Sequence, residues 1–445
     1  MAETDTTQIS VPRTKSGRRI PVMLRSLRHR NFQLFFSGQL ISLIGTWMDT
    51  IAESWLVYRL TGSSLLLGTV AFAGQIPVFL LSPIGGMAAD RWNRRKVVIA
   101  TQTASMFLAF ALAYLTLSGR VRVWQVILLA ALMGVVNAFD IPARQAFLVE
   151  MVGRDDLMNA IALNSSMFNG ARIIGPSIAG ILVASIGEGW CFFSNAVSYI
   201  AVIAGLLMMR IERPPKDEKY VSPLDHIAEG FRFVSHTAPI RLILLLLGLV
   251  SFVAMPYSVL MPIFAAQILH GNARTLGVLM GATGVGALAG ALTMASRQTV
   301  RGLGRWVWIA CAAFGSSLIL FSISHWYLVS IALLVPVGFS MMVQMSSSNT
   351  LIQAMVPDRL RGRTMAVYSM MFMGMAPLGA LFSGALADRI GAPWTLSIGG
   401  AVGIIGAAIF ARNLPSIRVE ARQLIVAQEM SGGEPVQKMS ARPVS

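Results

Sequence analysis

The chain has 445 residues, 55% of them hydrophobic and only 13% charged, with a mean hydropathy of +0.65. That excludes a soluble globular protein, where about 25% of residues are charged. The net charge of +16 raises nucleic acid as a partner, but the placement of the bases along the chain excludes it. Residues 1–30 are basic and polar and lack the apolar core and small-residue cleavage site of a signal peptide. They are expected to form a cytoplasmic N-terminal tail.

Apolar runs of about 20 residues follow, each long enough to cross about 30 Å of hydrocarbon. Twelve are expected, near 32–58, 64–88, 97–118, 122–149, 159–185, 189–210, 240–268, 275–296, 305–324, 326–355, 364–387 and 393–412. A β-barrel would show short alternating segments instead, so the fold class is an all-α polytopic membrane protein. The longest polar interruption, Ile211 to Ala238, separates a six-helix half at 31–210 from a second at 239–413. Residues 211–238 read as a cytoplasmic linker. Leu224, Ile227, Ala228, Phe231 and Val234 recur there at helical spacing, which predicts a helix lying on the membrane face. Residues 414–445 are polar and are expected to be a disordered cytoplasmic tail.

With both termini in the cytoplasm, 28 of the 36 Lys and Arg face the cytoplasm and five face outward, while Arg144, Arg172 and Arg241 lie in or at the ends of spans. This is the positive-inside asymmetry, and the basic excess faces anionic lipid. The two cysteines fall in separate spans and the five histidines are scattered through loops and tails. No metal centre, disulfide framework or cofactor is expected. Gly284 to Gly290 nearly matches a dinucleotide-binding glycine pattern, but it lies inside a span with no preceding strand and reads as helix packing.

Ionisable residues inside a span are costly and mark function. Span 1 carries Asp49 and Glu53, four residues apart and therefore on one helix face. Two such carboxylates repel one another in a low dielectric, which favours proton uptake by one of them. They are candidates for proton coupling or for holding a cationic part of a substrate. Asp140 and Arg144 of span 4 are one turn apart, with Pro142 between them. They read as an internal ion pair, or as a gate that tunes the span 1 acids. Arg172 of span 5 is lone and deep, with Asp140, Asp49 or an anionic substrate as its candidate partners. Trp47, Tyr257, Gln344 and Asn349 are candidate substrate-cavity residues, and Met341, Met342, Met345, Met370, Met371, Met373 and Met375 crowd spans 10 and 11.

The two halves repeat one another. Sliding 152–187 onto 356–391, an offset of 204, matches ten of 36 positions without a gap, among them Gly170, Gly175, Gly180 and Gly187. A shift of six spans preserves orientation, so the repeats are parallel.

Between spans 2 and 3 the chain reads G-G-M-A-A-D-R-W-N-R-R-K-V, from Gly85 to Val97. With Gly86, Asp90, Arg91, Arg94 and Arg95 it resembles the signature loop of the major facilitator superfamily, with Asn93 where a glycine is usual. Asn tolerates the left-handed backbone that such a glycine would adopt. Gly170 and the run from Gly175-Pro176 to Gly180 are similar to the G-P-x-x-x-G segment of facilitator exporters, a close-packing element of helix 5. The stretches at 31–39, 54–63, 140–147 and 159–165 resemble the enterobactin-exporter-type branch.

The resemblance implies two parallel six-helix halves with spans 1, 4, 7 and 10 lining a central cavity. It also implies proton-coupled antiport of a small, partly apolar siderophore, drug or metabolite out of the cell. The transporter would be a monomer of the bacterial inner membrane, with the basic loop latching the cytoplasmic side. An importer or lipid flippase on the same fold, or a non-transporting sensor, is the alternative. An enzyme would need a clustered nucleophile or metal set, and the spans carry none.

Overall fold

The computed structural model describes residues 22–153, 155–210, 223–297 and 299–430. Helices run in the order α1 (Arg30–Thr61), α2 (Ser64–Arg91), α3 (Arg94–Leu117), α4 (Val123–Val152), α5 (Leu157–Ile186) and α6 (Glu188–Met208). After the linker come α7 (Pro223–His236), α8 (Ala238–Val253), α9 (Tyr257–Ile263), α10 (Ala273–Ala295), α11 (Leu303–Ser322), α12 (Tyr327–Met355), α13 (Asp358–Ile390) and α14 (Ala392–Met430). Among the described residues, eleven segments are long and apolar enough to cross a membrane, with α8, α9 and the π turn after them forming one. The first span, α1, falls outside that set because its 32 residues include Asp49, Glu53, Gln39 and a run of hydroxyls. Its length, about 48 Å at 1.5 Å per residue, still exceeds the bilayer core, and it packs against α5 and α6 within the bundle. Large apolar side chains such as Phe107, Tyr114, Leu128 and Leu320 are exposed on the bundle's outside, as contact with lipid requires.

The repeat seen in the sequence is a repeat of packing. Gly134 of α4 presses on the α2 backbone at Gly74, and Gly338 of α12 presses on the α10 backbone at Thr283. Gly187 and Gly391 take φ of +88° and +86° and turn the chain from α5 into α6 and from α13 into α14, a backbone that L side chains rarely adopt. The halves meet along two seams, α2 against α13 and α5 against α10. Gly180 and Gly384, a matched pair of the repeat, sit on these seams. Gly180 lies against Gly277, and Gly384 against Gly68 and the Ser64 carbonyl.

These closest approaches all lie at the end of the bundle that carries the α1–α2 turn. Ser63 reaches Asp388 across the halves there, with its hydroxyl 3.3 Å from the carboxylate. At mid-depth Gly374 lies against the Phe79 ring, and Gly284 against the Ile173 side chain and the α5 backbone at Arg172 and Ile173. At the other end, which carries the arginine-rich α2–α3 turn, Met158 and Ile161 of α5 are exposed and Gly86 of α2 has open space around it.

Three segments differ from the sequence reading. α14 does not stop at the membrane but continues as helix to Met430, because Ile417, Ala421, Leu424 and Ile425 form a face that packs on the second half's core. Residues 414–430 are therefore not a disordered tail, and 431–445 lie outside the described residues. α7 is not free on the membrane face: Glu229 pairs with Arg363, Gly230 abuts the Arg363 carbonyl and Val234 is buried. The side chains of Leu224 and Ile227 lie outside the described residues. Span 7, expected as one run, breaks at Ala254–Pro256 and restarts as α9, ending in a π turn at Phe264–Ile268. Pro256 explains the break, since it supplies no backbone N–H, while α9 continues through Pro262. The N-terminal segment also has a defined dock. A 3-10 turn at Val22–Arg28 buries Ser26 against Asn159, with the hydroxyl 2.7 Å from the amide oxygen, and lays Arg25, Arg28 and His29 around Asp156 at 3.0, 2.8 and 2.7 Å.

Candidate functional site

A cavity of about 590 Å³ lies between the halves, within the range of sites for drug-sized ligands. It reaches from Val57 and Leu67, near the sealed end, to Arg144, near the arginine-rich end. Most of its wall comes from the first half. The second half contributes Met255, Tyr257, Ser258 and Val259 at the break in span 7, then Leu276, Met280 and Thr283 of α10 and Met341 of α12. Broken spans recur at transporter sites because they bring irregular backbone to a cavity without exposing it to lipid.

Asp49 and Glu53 both line the cavity, half-buried and one turn apart on α1. The Asp49 Oδ1 atom is fully buried and accepts no hydrogen bond. Gln39 and Gln102, on the same wall, each hold a buried Oε1 without a donor. The Gln39, Asp49 and Gln102 oxygens are thus buried acceptors without donors, atoms that favour a proton or another donor arriving from the cavity.

Asp140 is buried on α4 and is satisfied twice over. Its Oδ1 accepts from Thr101 Oγ1 at 2.7 Å and Gln102 Nε2 at 2.9 Å, and its Oδ2 pairs with Arg144 at 3.2 Å. The ion pair read from the sequence is present, and α4 continues through Pro142. Thr101 and Gln102 were missed as functional neighbours. A polar pair in an otherwise apolar span 3 was the available signal, since a buried acid needs donors.

Arg172 lines the cavity but pairs with neither Asp49 nor Asp140: no carboxylate lies within 4.0 Å of it among the described residues. Its guanidinium carbon lies 5.7 Å from the centroid of the Trp47 ring, a cation–π distance. Trp47 is fixed in turn by Phe168, edge to face at 5.6 Å, and by Gly175, which leaves room for the Trp47 Cβ. Tyr257 faces the cavity from the second half.

Gln344 and Asn349 do not reach the cavity. Gln344 is buried inside the second half, and Asn349 accepts from Gln353 at 2.5 Å. Polarity in a span does not distinguish a cavity face from the interior of a half, and Met341, one turn earlier, is the α12 residue on the wall.

The signature loop is a set of ties within the first half. Arg94 bonds Glu150 at 3.0 Å and the Ala89 carbonyl at 3.2 Å, and lies 3.6 Å from the exposed Asp90. Arg95 donates to the carbonyls of Leu206 and Leu207 at 2.8 and 2.9 Å, caring for the unpaired end of α6. Asn93 is not left-handed, with φ −68° and ψ 110°. It caps α3 by accepting from the Lys96 N–H at 3.1 Å, a role that glycine cannot perform with a side chain. In α5, Gly175, Pro176 and Gly180 pack on α1 and α10, but Gly170 has nothing within 4 Å and is no packing residue here.

The model of the transmembrane secretion effector family matches residues 22–440. The staphyloferrin A transporter of Staphylococcus aureus is 27% identical over 369 residues, 82% of this chain and 92% of that protein. The multidrug efflux pump Tap of Mycolicibacterium fortuitum is 28% identical over 78% of this chain and 87% of its own length. The enterobactin exporter of Citrobacter koseri is 25% identical over 80% and 85%. Among solved structures, the nucleoside transporter NupG superposes with a TM-score of 0.67 at 15% identity, covering 88% of this chain and 99% of that one. A bacterial homologue of ferroportin in an inward-facing state gives 0.65 at 14%, covering 86% and 98%. At these identities the structural likeness concerns the fold alone.

Proposed function

The chain belongs to the transmembrane secretion effector family, a branch of the major facilitator superfamily of transporters, and we propose that it is a proton-coupled exporter of small, partly apolar compounds. The observation that carries this reading is the pair Asp49 and Glu53 on the wall of a cavity that the halves seal at one end only. The positive-inside rule assigns the arginine-rich end to the cytoplasm, with both termini there and the protein in the bacterial inner membrane. The structure then corresponds to the cytoplasm-open state.

In this state the compound enters from the cytoplasm and settles between the charged first-half wall and the methionine-rich second-half wall, whose thioethers adapt to irregular apolar shapes. The halves rock about the cavity, the glycine seams at Gly68–Gly384 and Gly180–Gly277 part, and the α2–α3 loop closes the cytoplasmic side. Once the compound has left, protons entering from outside neutralise Asp49 and Glu53 and are delivered inward as the halves swing back. Alternating access of this kind needs two states of similar energy, each favoured by one ligand. A single chain contains the whole cavity, so a monomer suffices. The bases at the cytoplasmic face meet anionic lipid, and no nucleic acid or cofactor takes part.

Export, rather than import or lipid flipping, is supported by the relatives that move siderophores and drugs outward. Paired metabolite profiling of cells and medium, in strains lacking or overproducing the protein, tests it. Export predicts a compound retained without the protein and enriched outside with it. The reverse asymmetry would make it an importer.

A further inference from the structure

We propose that Arg172, seated on the face of Trp47, is the anion-holding group of the cavity, so that the compound carried bears a carboxylate or similar anionic group on a flat apolar body. The inference rests on the reading of this cavity as the transport site and deepens it by naming a substrate class. The cavity wall holds two guanidinium groups. Arg144 is already neutralised by Asp140 at 3.2 Å. Arg172 has no ion pair and no hydrogen bond to protein among the described residues, although it lies deep in a membrane span.

A cation held there without a counter-charge is unfavourable unless something offsets it. The Trp47 ring offsets part of it and, being clamped by Phe168 and Gly175, fixes the position of the guanidinium. The guanidinium fork is free to bind two oxygens at once. Opposite it the wall is Tyr257, Met280 and Thr283, an apolar surface with two hydroxyls and no charge. An anionic head on Arg172 therefore places an apolar body against methionine and tyrosine. Asp49 and Glu53, on the same wall, repel a second anionic group, which favours one negative centre near Arg172 over a polyanion.

The test uses full-length protein in lipid nanodiscs at pH 7, with tritiated 2-naphthoate as probe and 2-naphthamide and 2-naphthylmethylammonium as matched neutral and cationic competitors. Protein-free nanodiscs correct for partition into lipid. The proposal expects 2-naphthoate to displace the probe at concentrations at least about tenfold lower than 2-naphthamide, the scale of one charge-assisted bond. Arg172→Gln, read with tritiated 2-naphthamide as probe, should erase that preference, and Arg172→Lys should restore part of it. Equal displacement by naphthoate and naphthamide in the unmodified protein overturns the proposal without any variant. A preference that survives in Arg172→Gln overturns it too, by moving the anion elsewhere. Because this readout is binding without a gradient, it fails separately from export: a profiled substrate that is neutral or cationic would sink the anion site and leave the exporter standing.

Discussion

In α4, Asp140 and Arg144 form an ion pair supplied with donors by Thr101 and Gln102. In α12, the residues 204 positions later are Gln344 and Ser348, uncharged and buried, with Nε2 and Oγ left without partners. The glycines that pack these two helices are retained in both halves, at Gly134 and Gly338. The seam glycines Gly180 and Gly384 are retained as well, as are the turn glycines Gly187 and Gly391. Backbone packing therefore repeats while charge does not: Asp49, Glu53, Asp140, Arg144 and Arg172 all line the cavity from the first half, and the described residues of the second half contribute no Asp, Glu, Lys, Arg or His to it. The second half keeps the same packing without those charges, which supports the role in transport proposed for them. The first half is read as the coupling half and the second as the adaptable wall.

The comparison is sharpened most strongly by transplanting one half into the other. Asp140→Gln leaves Arg144 without its counter-charge and should cost about 3 kcal/mol of stability. Adding Arg144→Ser completes the second-half pair and should recover at least a third of that loss. Thermal unfolding of the three proteins in one detergent reads the cycle; if the single variant melts with the parent, the ion pair has no structural weight.

Next in size is the seam. A side chain at Gly384 would meet the Ser64 carbonyl at 2.6 Å and Gly68 Cα at 3.0 Å, so Gly384→Val should part the sealed end. The labelling rate of a cysteine placed at Leu67, which is 3% exposed on the cavity wall, should then rise on the order of tenfold, the scale of a 1.4 kcal/mol shift between two states. An unchanged rate would mean that the seam is not what closes that end.

A smaller effect is expected at the adaptable wall. Met280→Ala should alter apparent affinity for the exported compound by less than about tenfold, the scale of a few methylenes, and leave the proton dependence of transport intact. A loss of proton dependence there would erase the division between the halves.

The smallest effect lies outside the membrane. Hydrogen bonds from His29, then from Arg28, and the charges of Arg28 and Arg25 hold the Asp156 carboxyl below its ordinary value. A depressed carboxylate stabilises the docked N-terminal turn above the ordinary carboxylate range, and that contribution is lost as pH falls through the lowered value. The protection of residues 22–29 against hydrogen exchange, relative to the intrinsic amide rate at each pH, should thus hold from neutral pH down through about pH 4 and fall only below it. A fall in protection already between about pH 7 and 5 would assign the dock to another group.

Much of the fold was legible in the sequence because membrane spans follow from runs of apolar residues. The repeat also survives as glycines at a fixed offset. The break in span 7 was not read, since Pro256 sits in an apolar run that looks continuous. Nor was the helix beyond Leu414, where apolar spacing is diluted by charge. At the site, Asp49, Glu53, Asp140, Arg144 and Arg172 were found by the cost of charge in a span, and all five line one cavity. Gln344 and Asn349 were not separable from cavity residues, because neutral polar side chains are equally at home inside a half. For Arg172 the sequence offered Asp140, Asp49 or an anionic substrate; neither acid pairs with it, and the Trp47 ring beside it went unread because it lies on another helix.

The most direct test of the coupling half is proton-driven transport of the profiled compound in proteoliposomes, comparing the unmodified protein with Asp49→Asn at equal incorporation. The account predicts accumulation against a gradient in the first when the liposome interior is made acidic, so that protons leave as the compound enters. In the variant, that accumulation should vanish while exchange of labelled for unlabelled compound persists. Undiminished pH-driven accumulation in Asp49→Asn would contradict it.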